Sequence, residues 1–272
     1  MNHKQLLALF GLKWNPFSAE MPDEAIIATP ALEHFLWRVE GLVHEGGFAL
    51  VVGEPGLGKS VCLRLIAKQL ASVRDLRIAE FSRPQSGVGD FYRELGSLFG
   101  VPLNHHNRWR TFHSLREQWV SHIDKSLVRP VLIIDEAQEM NVNVLSELRL
   151  LSSMHFDAKT VLTVILAGDQ RLSEKFRTPE LLPLGSRIRA RLNLEPYSNP
   201  QLLELLTQSL IRAGAPKLMT KELMATLVEH AAGNPRVMNI LAGEILVLGV
   251  KKEVSVLDEA LFFESIPSRK RA

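Results

Sequence analysis

The strongest constraint on this 272-residue chain is a glycine-rich run that separates an apolar segment from an amphipathic one. The apolar segment, residues 48–52, predicts a strand, and the spacing of apolar residues over 61–70 predicts a helix. Backbone amides and the first turn of a helix can surround phosphate groups in this setting. The run reads Gly53, Glu54, Pro55, Gly56, Leu57, Gly58, Lys59 and Ser60, and it matches the phosphate-binding loop pattern at every position.

The side chains of this run suit a nucleoside triphosphate with its metal ion. Lys59 is expected to reach the β and γ oxygens, and the Ser60 hydroxyl is expected to bind Mg²⁺. We also assign Val61 to the phosphate site, because it lies in the first turn of the predicted helix, whose positive end points at the anion. We therefore predict an ATP site over residues 53–61.

Two consecutive acids follow a second apolar run. Residues 131–134 are typical of a central parallel strand, and Asp135 and Glu136 come directly after them. Parallel sheets bind ligands at the carboxyl ends of their strands. We predict that Asp135 holds Mg²⁺ and that Glu136 orients and deprotonates the water that attacks the γ-phosphate. The alternative is a solvated strand end followed by a helix cap.

Strands and helices alternate through most of the chain, which predicts a parallel sheet between two layers of helices. Further strands are predicted over residues 76–81, 160–167 and 191–194, and further helices over 91–99, 115–123 and 143–151. After Pro196 only helices are predicted, over 200–213, 221–232 and 235–248. We expect an α/β nucleotide-binding domain over residues 1–196, an all-helical lid over 197–265 and a basic tail over 266–272.

Arginines at two places could report on the nucleotide. Arg236 follows Gly233, Asn234 and Pro235 in the first turn of a predicted helix, where the helix dipole disfavours a cation unless an anion is near. We predict that it senses the γ-phosphate; a surface ion pair is the alternative. Arg187 and Arg189 lie on one face of an extended segment together with Arg191, and one of them could act on the nucleotide of a neighbouring subunit. Arg187 is favoured, and a plain basic face remains open.

Composition excludes several classes of protein. With 46% hydrophobic and 23% charged residues the chain is ordinary globular material, and no stretch approaches the roughly 18 apolar residues of a membrane span. The single cysteine, Cys62, excludes an internal disulfide and fits a reducing cytosol, so a cytoplasmic protein without a membrane partner is expected. The net charge of +2 permits a nucleic-acid partner but does not require one.

Several motifs together resemble the ExeA/TniB/TnsC group of AAA+ ATPases. One match begins at the paired acids, which are followed by Ala137 and Gln138 and then by the run over residues 145–151. The group's N-terminal motif is matched by Gly11, Leu12 and Asn15 to Phe17. Two later motifs of the group are matched by Arg187 with Ile188 and by residues 233–236. The resemblance covers roughly residues 10–250. It implies an AAA+ P-loop fold, namely a three-layer parallel sheet with a C-terminal helical lid.

The same resemblance implies function. The group includes ATPases that form rings or filaments on double-stranded DNA and deliver a transposase to its target, and secretion proteins that use the same domain. Where the group has Gly-Gln-Pro after the fourth strand this chain has Gly168, Asp169 and Gln170, so position suggests Asp169 as the sensor of the γ-phosphate. Gly185 and Ser186 also depart from the group's pattern before Arg187.

We expect a Mg²⁺-dependent ATP hydrolase that assembles as a homo-oligomer on double-stranded DNA and serves a transposase, with hydrolysis driving disassembly. Phosphate contacts by Arg83, Arg108 and Arg110 would give salt-sensitive binding without sequence preference. Two alternatives stay open. One is a secretion- or signalling-associated ATPase that assembles a protein partner without DNA, and the other is a nucleotide-binding scaffold with negligible turnover.

Overall fold

The computed structural model describes residues 3–101 and 108–269. The chain divides into two compact units. The sheet unit comprises Thr29–Pro55 and Lys59–Leu194, and the helical unit comprises Met1–Ala28, Gly56–Gly58 and Glu195–Ala272.

Parallel strands form the centre of the sheet unit. The strands, in chain order, are β1 (Gly47–Gly53), β2 (Leu76–Phe81), β3 (Arg129–Ile134), β4 (Ser153–Met154), β5 (Lys159–Thr160), β6 (Thr163–Gly168) and β7 (Ile188–Leu194). Among the described residues β2, β3, β6, β1 and β7 form, in that order, a five-stranded sheet with every neighbouring pair parallel. β4 and β5 pair with each other as a small antiparallel hairpin.

Helices cover both faces of the sheet. The helices of the chain are α1 (His3–Phe10), α2 (Pro30–Glu45), α3 (Lys59–Ser72), α4 (Val88–Phe99), α5 (Arg108–Ser126), α6 (Val142–Ser152), α7 (Gln170–Lys175), α8 (Leu182–Gly185), α9 (Asn199–Arg212), α10 (Lys221–Ala231), α11 (Pro235–Lys251) and α12 (Glu259–Arg269). All residues of β1 and β6 are buried, as expected for central strands covered on two sides. Phe48 and Leu50 belong to a core shared with α4 to α8, and α2 and α3 pack together against the sheet. The predicted three-layer arrangement is confirmed.

The helical unit has its own apolar core. Leu206, Leu227, Ile245 and Phe262, from α9 to α12, are almost fully buried in it. Leu6 and Phe10 of α1 lie in the same core, which is why the N-terminal residues group with the C-terminal helices. This grouping differs from the expected boundaries, which assigned all of residues 1–196 to one domain. Burial partners so distant in sequence leave no periodic signal.

The strand predicted over residues 160–167 is interrupted. Lys159 and Thr160 belong to the β4–β5 hairpin, and β6 begins only at Thr163. The apolar run of the sequence therefore contains two strands that belong to different sheets.

No helix among the residues that the structure describes is long and apolar enough to cross a membrane. Of the predicted basic tail, residues 266–269 belong to the end of α12, and residues 270–272 lie outside the described residues.

Candidate active site

The glycine-rich loop connects β1 to α3, in the predicted order of strand, loop and helix. β1 ends at Gly53 and α3 begins at Lys59. Gly56 and Gly58 have φ angles of +92° and +101°, a conformation that residues with a side chain rarely adopt. Leu57 between them is buried, whereas Glu54 and Pro55 are exposed. The path of the loop therefore depends on glycine at positions 56 and 58.

Lys59 points its ammonium group back into the loop. Its side chain is only 6% exposed, and Nζ donates hydrogen bonds to the carbonyl oxygens of Gly53 at 2.8 Å and of Glu54 at 3.3 Å. Within the described part of the chain no carboxylate pairs with this ammonium. A buried cation that is satisfied only by carbonyls is well placed to gain from a bound phosphate.

Ser60 and Asp135 come together although 75 residues separate them in sequence. The Ser60 hydroxyl donates to Asp135 Oδ2 at 2.6 Å, which joins the first turn of α3 to the carboxyl end of β3. A hydroxyl and a carboxylate oxygen are hard oxygen ligands of the kind that Mg²⁺ prefers. The two predicted metal ligands are thus adjacent, and their chemistry fits the ion.

Glu136 has an unusual backbone conformation. Its φ and ψ are +51° and +38°, in the left-handed region, and its N–H donates to Asp135 Oδ1 at 2.8 Å. Such strain in a non-glycine residue occurs preferentially at functional sites. The Glu136 carboxylate accepts a hydrogen bond from Nε2 of Gln138 through Oε2. From the sequence, Gln138 can be recognised only as part of a motif, because spacing alone does not show where its side chain points.

Asp169 follows β6, the strand between β3 and β1. Its carboxylate caps α7 by accepting from the Arg171 N–H at 3.0 Å, and it also pairs with the Arg171 guanidinium at 2.8 Å. The Arg171 hydrogen bond lowers the pKa of Asp169, and the charge of Lys59 contributes a smaller lowering. Asp169 therefore lies within electrostatic range of Lys59, but its carboxylate is already occupied by Arg171.

The arginines predicted to act between subunits lie at an edge of the sheet, since within the described ranges β7 pairs with β1 alone. Arg189 and Arg191 are exposed and alternate with the buried Ala190 and Leu192, as predicted. Their partners differ, however. Arg187, just before β7, pairs with Asp157 of the β4–β5 hairpin and donates to the Pro183 carbonyl at 2.6 Å. Arg189 pairs with Glu45 at 2.6 Å, and Arg191 donates to the Gly185 carbonyl at 3.2 Å.

Arg236 lies in the first turn of α11, as predicted. Asn234 caps this helix by accepting from the Arg236 N–H at 3.0 Å, and the same N–H lies 3.3 Å from the Gly56 carbonyl oxygen. The Arg236 side chain is exposed, and among the described residues its guanidinium has no hydrogen-bond or ion-pair partner. A cation near a helix N-terminus without a counter-ion retains the capacity to bind an anion.

The residues predicted to contact DNA are described only in part. Arg83 is exposed in the segment after β2, where its carbonyl accepts from the Ser86 N–H at 3.0 Å. Arg110 is exposed near the start of α5. The Arg108 side chain lies outside the described residues. Among the described residues, Arg83 and Arg110 are not brought together into a single defined site.

Part of the chain matches a known domain family. Residues 43–176 match the family model described as AAA domain. The chain is 30% identical over 244 residues to General secretion pathway protein A of Aeromonas hydrophila; the match covers 88% of this chain and 44% of the relative. The chain therefore spans less than half the length of that curated relative.

Solved structures show the same fold. Cdc6p from Pyrobaculum aerophilum superposes with a TM-score of 0.72 at 14% identity, over 89% of this chain and 67% of that one. The Aeropyrum pernix ORC1 protein in complex with DNA gives a TM-score of 0.67 at 15% identity, over 92% of this chain and 68% of that one. Together with the parallel sheet and its phosphate-binding loop, these likenesses show that the chain has the P-loop AAA+ fold, with an AAA domain matched over residues 43–176.

Proposed function

We propose that this chain is a Mg²⁺-dependent ATP hydrolase. The observation that carries the proposal is the 2.6 Å contact between Ser60 and Asp135, because it places two hard oxygen ligands beside the loop that holds Lys59. Glu136 is the next residue along the chain, so an acid–base group lies directly beside the metal ligands.

Each of the proposed site residues has a separate role in the reaction. Lys59 binds the β and γ oxygens, and Ser60 and Asp135 hold the ion. That ion, when bound, neutralises the charge that develops on the phosphate oxygens. Glu136 accepts a proton from water as the water oxygen forms its bond to the γ phosphorus, and the bond to the β–γ bridging oxygen breaks to leave ADP and inorganic phosphate. Asp169 and Arg236 are proposed to detect whether the γ-phosphate is present.

Two substitutions test this assignment. Lys59→Ala is expected to lower ATP affinity at least about tenfold, because it removes a charge-assisted contact to phosphate. Glu136→Gln is expected to leave affinity within about twofold and to lower the rate of phosphate release about 100-fold or more, the usual contribution of a general base. Isothermal titration with ATP and a phosphate-release assay measure the two quantities.

A carboxylate that lies away from the loop provides the control. Glu174→Gln, on the exposed side of α7, makes the same chemical change and is expected to retain wild-type turnover. Equal phosphate release by wild type and Glu136→Gln would favour the nucleotide-binding scaffold and contradict the proposed chemistry.

We further propose that ATP binding assembles subunits on double-stranded DNA and that the assembly selects or delivers target DNA to a transposase, with hydrolysis releasing it. The motif resemblance supports this proposal, and a protein of the same fold, Aeropyrum pernix ORC1, has been solved in complex with DNA. Exposed Arg83 and Arg110, with Arg108, are proposed to contact phosphates, so binding should weaken as salt increases.

A second candidate has its own support. The similarity to General secretion pathway protein A extends over 88% of this chain, which favours a secretion-associated ATPase that assembles a protein partner without DNA. Phosphate release with and without duplex DNA separates the two candidates, with Arg187→Ala as the test for dependence on assembly. Stimulation by duplex that Arg187→Ala abolishes supports the DNA candidate. Unchanged turnover, with neither DNA binding nor ATP-dependent oligomers, would contradict it.

A further inference from the structure

Gln138 lies between the predicted general base and the end of the neighbouring strand. It is 4% exposed and belongs to a short 3-10 helix, Ala137–Glu139, that follows Glu136. Its Nε2 donates to Oε2 of Glu136, and its Oε1 accepts from the Asp169 N–H at 3.3 Å. One buried amide therefore connects Glu136, the second residue after β3, to Asp169, the residue after β6.

The two ends of this amide are not interchangeable. A carboxylate at physiological pH only accepts hydrogen bonds, and a backbone N–H only donates them. The nitrogen of Gln138 must therefore face Glu136, and its oxygen must face Asp169. A side chain that lacks the donor or the acceptor can therefore satisfy only one of the two neighbours.

The surroundings hold the glutamine in this position. The backbone carbonyl of Gln138 accepts a hydrogen bond from Lys175 Nζ, which also donates to the Met140 carbonyl at 3.0 Å. On the other side Gly168 leaves room for the amide, because a Cβ there would lie 2.7 Å from Gln138 Oε1. Lys175 of α7 thus holds the backbone of Gln138, and the absence of a side chain at Gly168 leaves space for its amide.

We propose that Gln138 is a positioning residue for Glu136. Its amide fixes the direction of the Glu136 carboxylate by binding one oxygen, which leaves the other oxygen to accept the proton of the attacking water. The link to Asp169 ties this direction to the end of β6, so the base and the predicted γ-phosphate sensor are oriented together. This inference rests on the proposed role of Glu136 as the general base.

The amide can be altered with little change in shape. Gln138→Glu keeps the shape but replaces the donor by a second carboxylate, and Gln138→Met keeps the length but removes both hydrogen bonds. Each is expected to lower kcat for ATP hydrolysis at least about tenfold while the KM and Kd for ATP stay within about twofold, because neither change touches the loop that binds phosphate. A purely structural residue would instead lower the affinity for ATP in parallel with kcat.

A double substitution separates this inference from the proposed function. If Gln138 acts through Glu136, adding Gln138→Met to Glu136→Gln produces no further loss of kcat. If Glu136→Gln alone retains wild-type kcat, the proposed chemistry fails. If Glu136→Gln loses activity but the two Gln138 variants keep wild-type or higher kcat, or lose ATP affinity in parallel with kcat, the positioning role of Gln138 is overturned.

Discussion

Asp135 uses its two carboxylate oxygens for two different contacts. Oδ1 accepts from the Glu136 N–H at 2.8 Å, and Oδ2 accepts from the Ser60 hydroxyl at 2.6 Å. The left-handed backbone of Glu136 costs a non-glycine residue about 1–3 kcal/mol, and a hydrogen bond to a charged acceptor offsets part of this. One side chain therefore contacts both the proposed metal ligand Ser60 and the proposed base Glu136, so the two parts of the site are coupled.

Two opposing effects, the helix N-terminus and burial, act on the pKa of the Cys62 thiol in α3. A thiol near a helix N-terminus usually becomes more acidic. Here burial raises the pKa of Cys62 from 9.0 to about 12, and a backbone hydrogen bond lowers it by less. At pH 8 only about one molecule in ten thousand would carry the thiolate. We expect negligible reaction of native protein with a disulfide reagent at pH 8, measured as thiolate released over an hour.

The same protein unfolded in guanidinium provides the control, and it should react completely within minutes. Because the folded pKa lies above the unfolded one, the contribution of Cys62 to stability is complete below pH 9 and is lost as the pH rises towards 12. Rapid labelling of the native protein at pH 8 would show that the thiol is not buried as described.

At the scale of elements, the start of α11 lies close to Gly56, one of the two glycines of the loop with positive φ. A Cβ on Gly56 would lie 2.4 Å from Oδ1 of Asn234, the residue that caps α11, whereas a Cβ on Gly58 would meet nothing within 4 Å. Both glycines have positive φ. We expect Gly56→Ala to lower the free energy of unfolding by about 1 kcal/mol more than Gly58→Ala, the usual value of a lost cap. Urea unfolding without nucleotide measures the difference.

Removing the cap first tests the reason for this difference. Asn234→Ala alone should lower the free energy of unfolding by about 1 kcal/mol. In that background the difference between Gly56→Ala and Gly58→Ala should become smaller, because of the close neighbours only the Arg236 Cβ, 3.0 Å away, remains. If the difference between the two alanine variants persists undiminished, it arises elsewhere in the loop.

The elements that the sequence predicted are those with long periodic patterns or complete motifs. β1, β3 and the helices α9 to α11 were placed to within a few residues, since apolar periodicity and proline or glycine ends mark them. α2 was missed although Thr29 caps it and Pro30 begins it. Its residues Phe35 and Leu36 are buried, but the predicted elements include no helix before the first strand.

The parts of the site that the sequence predicts are likewise those that form a complete motif or follow a recognisable element. Positions 53–60 form one contiguous motif whose chemistry is fixed by residue type, and the acids at 135 and 136 follow a recognisable strand. The amide of Gln138 and the pairing of Asp169 with Arg171 depend on side-chain directions after short turns. These directions result from packing between residues distant in sequence, and single-sequence patterns do not contain them.

At the scale of the whole molecule, Arg187 and Arg189 beside β7 form ion pairs that contribute little free energy. Arg187 pairs with Asp157, whose side chain is half exposed, and Arg189 pairs with an exposed Glu45. Exposed ion pairs contribute about 0–1 kcal/mol. An arginine in such a pair can exchange its partner for a more highly charged phosphate of another subunit, so these intrachain contacts are compatible with a role in assembly.

Mixing two inactive variants tests whether Arg187 acts on a neighbouring subunit. Arg187→Ala retains its own ATP site and lacks the arginine, while Lys59→Ala lacks the site and retains the arginine. In an equal mixture about a quarter of the subunit interfaces would combine an intact site with an intact arginine, so phosphate release should reach roughly that fraction of the wild-type rate. Arg187→Ala mixed with the double variant Lys59→Ala/Arg187→Ala should stay inactive. A mixture no more active than its separate components would exclude action of Arg187 between subunits, and the same assay with Arg189→Ala would then test the second arginine.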